Sequence, residues 1–279
     1  MALSEIRITP TEYQKIAKLV YSRFGIDLGE KKQTLVCNRL RKVLVDKNFN
    51  SFEQYYQFVQ NDQTGHAMDT LINKISTNLT YFAREHDHFA YLRDEVIKEL
   101  IARDDVKRKK SLRIWCAGCS TGEEAYTLAM SLHMSLQNTD IKPAVLATDI
   151  SARALDVAQK GVYNQEDAAK LGSKFAERYF VPAGNKQLGI KPDIRKMVLF
   201  RRLNLMRPDF PFKNKFQVIF CRNVMIYFDT DTRQTLARKF SDNLMDKGYL
   251  FIGHSESLGR TNPYFEYLKP AVYKKVAHE

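Results

Sequence analysis

Four short apolar runs, separated by stretches of helical character, constrain this chain more than any other feature. They are LRIWC (112–116), AVLATD (144–149), FQVIFC (216–221) and YLFIG (249–253). Strand-length runs alternating with helices predict an α/β fold with a mostly parallel, doubly wound sheet. Parallel neighbours cannot be joined by a tight turn, so each connection must be a crossover, usually a helix. The stretch Thr230–Asp246 reads as one such helix, opened by Asp229 or Thr230 and closed before Gly248.

Strand-like runs are missing from the first 76 residues, which read as a separate all-helical domain. Thr9, Pro10 and Glu12 form a helix start, with proline and acid in the first turn, and Gly25 follows the end. A second helix is expected from Glu30 to Lys47, where Val36, Leu40, Val43 and Leu44 make one apolar stripe. Two more are expected near 51–60 and 65–76. Residues 77–110 then read as an interdomain segment with a long helix over 85–104 and a basic run, Lys107–Lys110. The α/β domain occupies 111–279. Inside it, glycines at 184 and 189 punctuate the short runs RYFV and MVLF, which predicts a small antiparallel insertion over 178–203.

Composition narrows the class. Of 279 residues, 27% are charged and 44% apolar, so the chain can bury a core and is neither disordered nor a stapled mini-fold. No apolar run nears the roughly 20 residues of a membrane span, and MALSEIRITP lacks a leader pattern, so a cytoplasmic protein is expected. Four cysteines suit a reducing compartment better than a disulfide framework. The net charge of +12 predicts attraction to an anionic partner, whether nucleic acid, lipid surface or acidic protein.

The chemistry concentrates after the first strand, where AGCSTGEE (117–124) turns into a helix. Gly118 and Gly122 permit close backbone approach to a ligand, but the spacing is not that of a dinucleotide loop. Two acids at the helix start would repel a pyrophosphate and favour a cationic group such as an ammonium. Asp149, at the end of the next strand, can accept bonds from ribose hydroxyls. An S-adenosylmethionine site accounts for all of these features, although both glutamates also suit a helix N-terminus on dipole grounds alone.

At this point a resemblance becomes specific. The segments TNLTYFARE (77–85), WCAGCSTGEEAYTLAM (115–130), the Asn-Leu pair in RRLNLMRPDF (201–210) and FCRNVMIYFD (220–229) occur in order, and GHSES (253–257) adds to them. Over nearly its whole length the chain resembles the CheR-type chemotaxis receptor methyltransferases. The resemblance implies a class I, Rossmann-like methyltransferase domain with an inserted antiparallel subdomain behind an N-terminal helical domain. It implies that Asn78, Thr80 and Arg84 reach the cofactor, that Glu124 holds the methionine ammonium and that Asp149 holds the ribose. Asn204 and Leu205 would flank the adenine, Arg222 and Asn223 would line the pocket, and Tyr227 would sit beside the transferred methyl group.

The implied substrate is a receptor glutamate converted to its γ-methyl ester. At neutral pH that carboxylate, with a pKa of about 4.3, is already the nucleophile. No metal is expected, and catalysis should rest on positioning and water exclusion. Arg84 and Tyr227 are the expected catalytic residues. Arg84 can hold the non-attacking oxygen, provided it does so loosely, since the charge is lost in the transition state. A salt bridge and a packed core tyrosine are the plain structural alternatives for the two. Arg39, Arg41 and Lys42, on the polar sides of the second helix, would dock an acidic receptor helix, although such charge runs are usually a solvated face. The compact segment 181–193 lacks the glycine-rich turn of tether-binding relatives, so recognition without a receptor tether peptide is expected, by a monomer.

Other patterns point elsewhere. Cys116 and Cys119 have C-x-x-C spacing, but without a second pair they read as small buried residues. GHSES departs from the G-x-S-x-G nucleophile elbow. Asn262-Pro263-Tyr264-Phe265 is similar to an amino-methyltransferase motif but follows the last long strand, so it reads as a turn. Two alternatives remain: a nucleic-acid methyltransferase, and a non-catalytic receptor adaptor that binds S-adenosylmethionine.

Overall fold

The computed structural model describes residues 6–76, 78–259 and 261–276. Residues 1–5, within the stretch that lacks a leader pattern, and Thr77, first of the 77–85 motif, lie outside them. The chain divides into two compact units. One comprises residues 6–76 together with Asn204–Met206 and Tyr227–Thr232, and the other holds the remaining described residues from Asn78 onward.

The first unit carries α1 (Pro10–Phe24), α2 (Gln33–Asp46), α3 (Phe52–Asn61) and α4 (His66–Ile75). Thr9 caps α1 reciprocally: its hydroxyl accepts from the Glu12 N–H at 3.3 Å, and the Glu12 carboxylate accepts from the Thr9 N–H at 2.8 Å. Gly25 ends the helix in the left-handed conformation and donates to the Tyr21 carbonyl. The expected second helix begins as a 3-10 turn (Glu30–Lys32) and continues as α2. Its stripe is buried as expected, with Val36, Leu40 and Leu44 at 0% exposure.

The second unit follows this order: α5 (His86–Tyr91), α6 (Ile97–Ala102), α7 (Asp104–Lys109), β1 (Ser111–Ala117), α8 (Glu123–Leu136), β2 (Lys142–Asp149) and α9 (Ala152–Lys160). Then come β3 (Val162–Asn164), α10 (Gln165–Ala169), α11 (Ser173–Tyr179), β4 (Phe180–Pro182), β5 (Gln187–Ile190), α12 (Pro192–Arg195) and β6 (Val198–Arg202). It ends with β7 (Phe216–Cys221), α13 (Thr230–Asn243), β8 (Leu244–Ile252), β9 (Phe265–Lys269) and β10 (Val272–Lys275). The first three residues of α13 cluster with the helical unit. Asp229 rather than Thr230 caps that helix, accepting from the Thr232 N–H at 2.8 Å.

Seven strands form the main sheet in the order β6-β2-β1-β7-β8-β10-β9. Strands β6, β2, β1, β7 and β8 are mutually parallel, and β10 runs antiparallel to both of its neighbours. The strand order reverses between β1 and β7, which opens a crevice at their C-terminal ends, the usual ligand site of such sheets. Alternation along β1 feeds both faces: Leu112, Ile114 and Cys116 join one apolar cluster, while Trp115 packs edge-on against Phe210, Phe212 and Phe240.

Three sequence expectations change here. The helix expected over Thr230–Asp246 stops at Asn243, because β8 begins at Leu244. The antiparallel sheet (order β3-β5-β4) takes β4 and β5 from the expected 178–203 but its third strand, β3, from Val162–Asn164 upstream. The MVLF run instead forms most of β6 and pairs parallel with β2, where the Val145 N–H donates to the Met197 carbonyl and Phe200 packs on Tyr126. Short apolar runs do not disclose their partner strand, and the three-residue β3 is too brief to show a pattern. The expected long helix over 85–104 is α5 and α6 joined through a π turn (Leu92–Val96), and α7 is a separate element.

Candidate active site

The loop between β1 and α8 is shaped by two glycines. Gly118 has φ +90°, and a Cβ there would lie 2.3 Å from Val224 Cγ2. Gly122 has φ +100°, and its Cβ would meet Ala158 Cβ at 2.8 Å and the Tyr163 hydroxyl at 2.9 Å. Only glycine satisfies both the backbone and the space. The Gly118 and Cys119 N–H groups donate to the Thr148 carbonyl at 2.8 and 2.9 Å, which ties the loop to the end of β2.

Asp149 completes that tie. Its Oδ2 accepts from the Ser120 N–H and its Oδ1 from the Ser151 N–H, each at 2.8 Å. Burial raises its pKa above the usual value, although the backbone donors oppose the shift. Asp149 therefore holds the loop as well as presenting its remaining lone pairs at the strand end. Glu123 is buried too, accepts from the Thr121 hydroxyl at 2.7 Å and has its pKa raised by desolvation.

Glu124 opens α8 next to it, and its Oε1 accepts from the Cys116 thiol at 3.2 Å. Its Oε2 takes the Arg222 Nε at 2.7 Å. Arg222 is 4% exposed and turned entirely toward the protein. Its Nη2 donates to the Arg84 carbonyl at 2.6 Å, its Nη1 lies 3.0 Å from His88 Nδ1, and its plane packs near Phe89 and Phe220. The pocket lining expected of Arg222 is thus a buried brace under Glu124.

Segment 78–85 approaches the loop where the Ser120 hydroxyl donates to the Asn78 carbonyl at 3.3 Å. Thr80 is half-buried within it. Arg84 sits between Ala83 and Glu85, both at φ +55°, a strained pair of left-handed residues at the edge of the site. Its Nη1 donates to the Leu79 carbonyl at 2.9 Å and its guanidinium lies 6.0 Å from the Tyr81 ring. Among the described residues it has no carboxylate partner.

Asn204, Leu205, Tyr227 and the three docking candidates cluster with the helical unit. Asn204 donates to the Arg23 carbonyl and accepts from the Met206 N–H, at 2.8 and 2.9 Å, and Leu205 is buried. The Tyr227 carbonyl accepts from the Asp27 N–H at 2.8 Å, and Lys32 Nζ stands 6.0 Å from its ring. Of the three docking candidates only Lys42 is exposed. Arg39 donates to the Ile75 carbonyl at the end of α4, and Arg41 reaches Cys37 Sγ at 3.4 Å. Helical periodicity alone could not separate these cations, because their partners come from other elements and from the helix's own turns.

Sequence reasoning missed Glu85 and His88, both beside Arg222, and Glu256, described below. Glu85 ends the 77–85 motif and Glu256 lies within GHSES, but no local pattern gives either a role, and none marks His88. Glu85, His88 and His254 bring ligand-type atoms within 4.8 Å of one another. The Arg222 guanidinium stands in that group, 3.7 Å from the Glu85 carboxylate, and its fixed charge opposes a metal cation there. Cys116, Cys119 and Cys221 are buried with their pKa values raised by desolvation, so the C-x-x-C pair has no thiolate character. Asn262 accepts from the Tyr264 N–H at 2.9 Å, which makes NPYF a turn leading into β9.

A parallel sheet with one reversed strand, a glycine loop after β1, Glu124 in the first turn of α8 and Asp149 at the end of β2 define a class I S-adenosylmethionine-dependent methyltransferase. Residues 78–274 match the family description "CheR methyltransferase, SAM binding domain", and residues 11–76 match "CheR methyltransferase, all-alpha domain". A chemotaxis protein methyltransferase of Borreliella burgdorferi is 43% identical over 97% of this chain and 96% of its own length. That of Escherichia coli is 34% identical over 96% of this chain and 92% of its own, and a probable one from Rhizobium etli is 33% identical over 92% and 96%. The chain belongs to the CheR methyltransferase family, S-adenosylmethionine-dependent enzymes of chemotaxis.

Proposed function

We propose that the protein transfers the methyl group of S-adenosylmethionine to glutamate γ-carboxylates on the cytoplasmic helices of bacterial chemoreceptors, giving methyl esters. The observation that carries this reading is Arg84. It is a half-buried cation at the cofactor loop whose partners are a carbonyl and an aromatic face, so its charge is available to an anionic guest.

The cofactor site fits its group. Gly118 and Gly122 let the loop pack its backbone tightly against Val224, Ala158 and Tyr163, and the acceptors beside it, Glu124 and Asp149, are acidic, as an ammonium and ribose hydroxyls require. Glu124, oriented by Arg222, holds the ammonium, and Asp149 holds the ribose. Asn78 and Thr80 close on the cofactor from segment 78–85, and Asn223 lines the pocket. S-adenosylmethionine supplies a methyl group already activated by its sulfonium. The protein needs no general base, because the substrate arrives ionised. Arg84 orients the carboxylate toward the methyl group.

The test is transfer of labelled methyl from S-adenosylmethionine to chemoreceptor-containing membranes, followed by base hydrolysis. Label is expected as methanol, and Arg84→Ala should lose most of the rate while still binding S-adenosylhomocysteine. Base-stable label would overturn the ester reading. Cofactor binding with no transfer to cognate receptors would make the protein an adaptor instead.

A further inference from the structure

The motif GHSES (253–257) follows β8 directly and has no part in the chemistry above. Its Glu256 is 8% exposed. Oε2 accepts from the Gly253 N–H at 2.5 Å and the Asn223 N–H at 2.9 Å, while Oε1 accepts from the Ile226 N–H at 3.1 Å. One carboxylate thus gathers backbone donors from two segments, the turn after β8 and the link after β7. The second holds Asn223 at φ +58°, a conformation that a non-glycine residue keeps only when its surroundings enforce it. Glu85 supports the same link from another side, accepting from Asn223 Nδ2 at 3.4 Å and from the His254 N–H at 3.3 Å.

We propose that Glu256 is a positioning residue of the methyltransferase site: a buried carboxylate clamp on residues 223–226 that keeps Arg222 under Glu124 and Asn223 in the cofactor pocket. A carboxylate suits this task because every atom facing the donors is an acceptor. Glutamine would turn an NH2 group toward N–H donors, and an apolar residue would leave buried donors unpaired. The inference rests on the proposed placement of Glu124 and Asn223 in the cofactor pocket.

Its test uses the full chain and three substitutions, Glu256→Gln, Glu256→Asp and Gly253→Ala. The last adds a Cβ 2.5 Å from Asn223 Nδ2 and 2.9 Å from Glu256 Oε2, so it strains the clamp without altering the carboxylate. S-adenosylhomocysteine affinity is measured by calorimetry and receptor methylation by steady-state kinetics. All assays run well below each variant's unfolding midpoint, with affinity expressed per folded molecule. E256Q is expected to weaken cofactor affinity about tenfold or more, some 1.4 kcal/mol, and to lower kcat while receptor KM stays unchanged. E256D, which keeps the charge, should recover part of the loss, and G253A should reproduce the pattern of E256Q. The proposal is overturned if folded E256Q and G253A bind cofactor like the unsubstituted protein, even with a lowered midpoint, or if only receptor KM moves. If E256Q does not fold, G253A decides by the same criterion. An unsubstituted chain that binds cofactor but methylates no receptor counts against the substrate reading alone, since cofactor affinity still reports on the clamp.

Discussion

His88 is 1% exposed, and burial, with the nearby Arg222 charge, lowers its pKa to about 4. In the unfolded chain it titrates near 6.5, so folding favours the neutral ring. Its contribution is complete above pH 6.5 and is lost as pH falls toward 4, because the unfolded state takes up a proton that the folded state resists. Denaturant unfolding should show a loss on the order of 2 kcal/mol from this group by pH 5, reduced in a His88→Gln variant. Gly118 gives a sharper local test. Gly118→Ala places a Cβ 2.3 Å from Val224 in a left-handed backbone. Cofactor affinity should fall and stability should drop by about 2 kcal/mol, measured by calorimetry and urea unfolding. Residues of this kind were legible in part. The glycines and the acids at the strand end stood out, since a turn from strand to helix needs them, whereas Glu85, His88 and Glu256 act through partners far away in the chain.

Elements whose ends are set by local chemistry were the most readable. The Thr9 and Glu12 pair caps α1, so Thr9→Ala should cost about 1 kcal/mol in urea unfolding while leaving cofactor affinity unchanged. The apolar stripe of α2 and the alternation of β1 followed directly from helical and strand periodicity. Strand partners did not. The MVLF run could serve either sheet by its own pattern, and it pairs with β2, with Phe200 packed on Tyr126 of α8. The π turn inside 86–102 was invisible for a similar reason: it shifts side-chain phase by one residue without any proline or glycine to announce it.

At the scale of the whole molecule, the net charge of +12 suits an acidic partner, and Lys42 is an exposed cation on α2. The β4–β5 hairpin turns tightly at Gly184, where the Gln187 N–H meets the Gly184 carbonyl at 2.6 Å. On the proposal that recognition needs no tether, methylation of receptors lacking their C-terminal peptide is expected to proceed within about twofold of the intact rate, since no effective concentration is lost. Loss of methylation on that deletion would show that the hairpin region grips a tether after all.

The sequence by itself determined the helical start, the alternating α/β second part, the glycine loop and the family. Each depends on periodicity, on caps or on ordered motifs within a few residues. Only the tertiary structure decided that Arg222 belongs to Glu124, that Asp149 binds its own loop, that Arg39 closes α4 and that Glu256 gathers the turns around Asn223. The physical reason is that a charge or a backbone N–H takes its role from whatever burial brings within about 3 Å of it, and those neighbours are dictated by chain topology rather than by sequence distance.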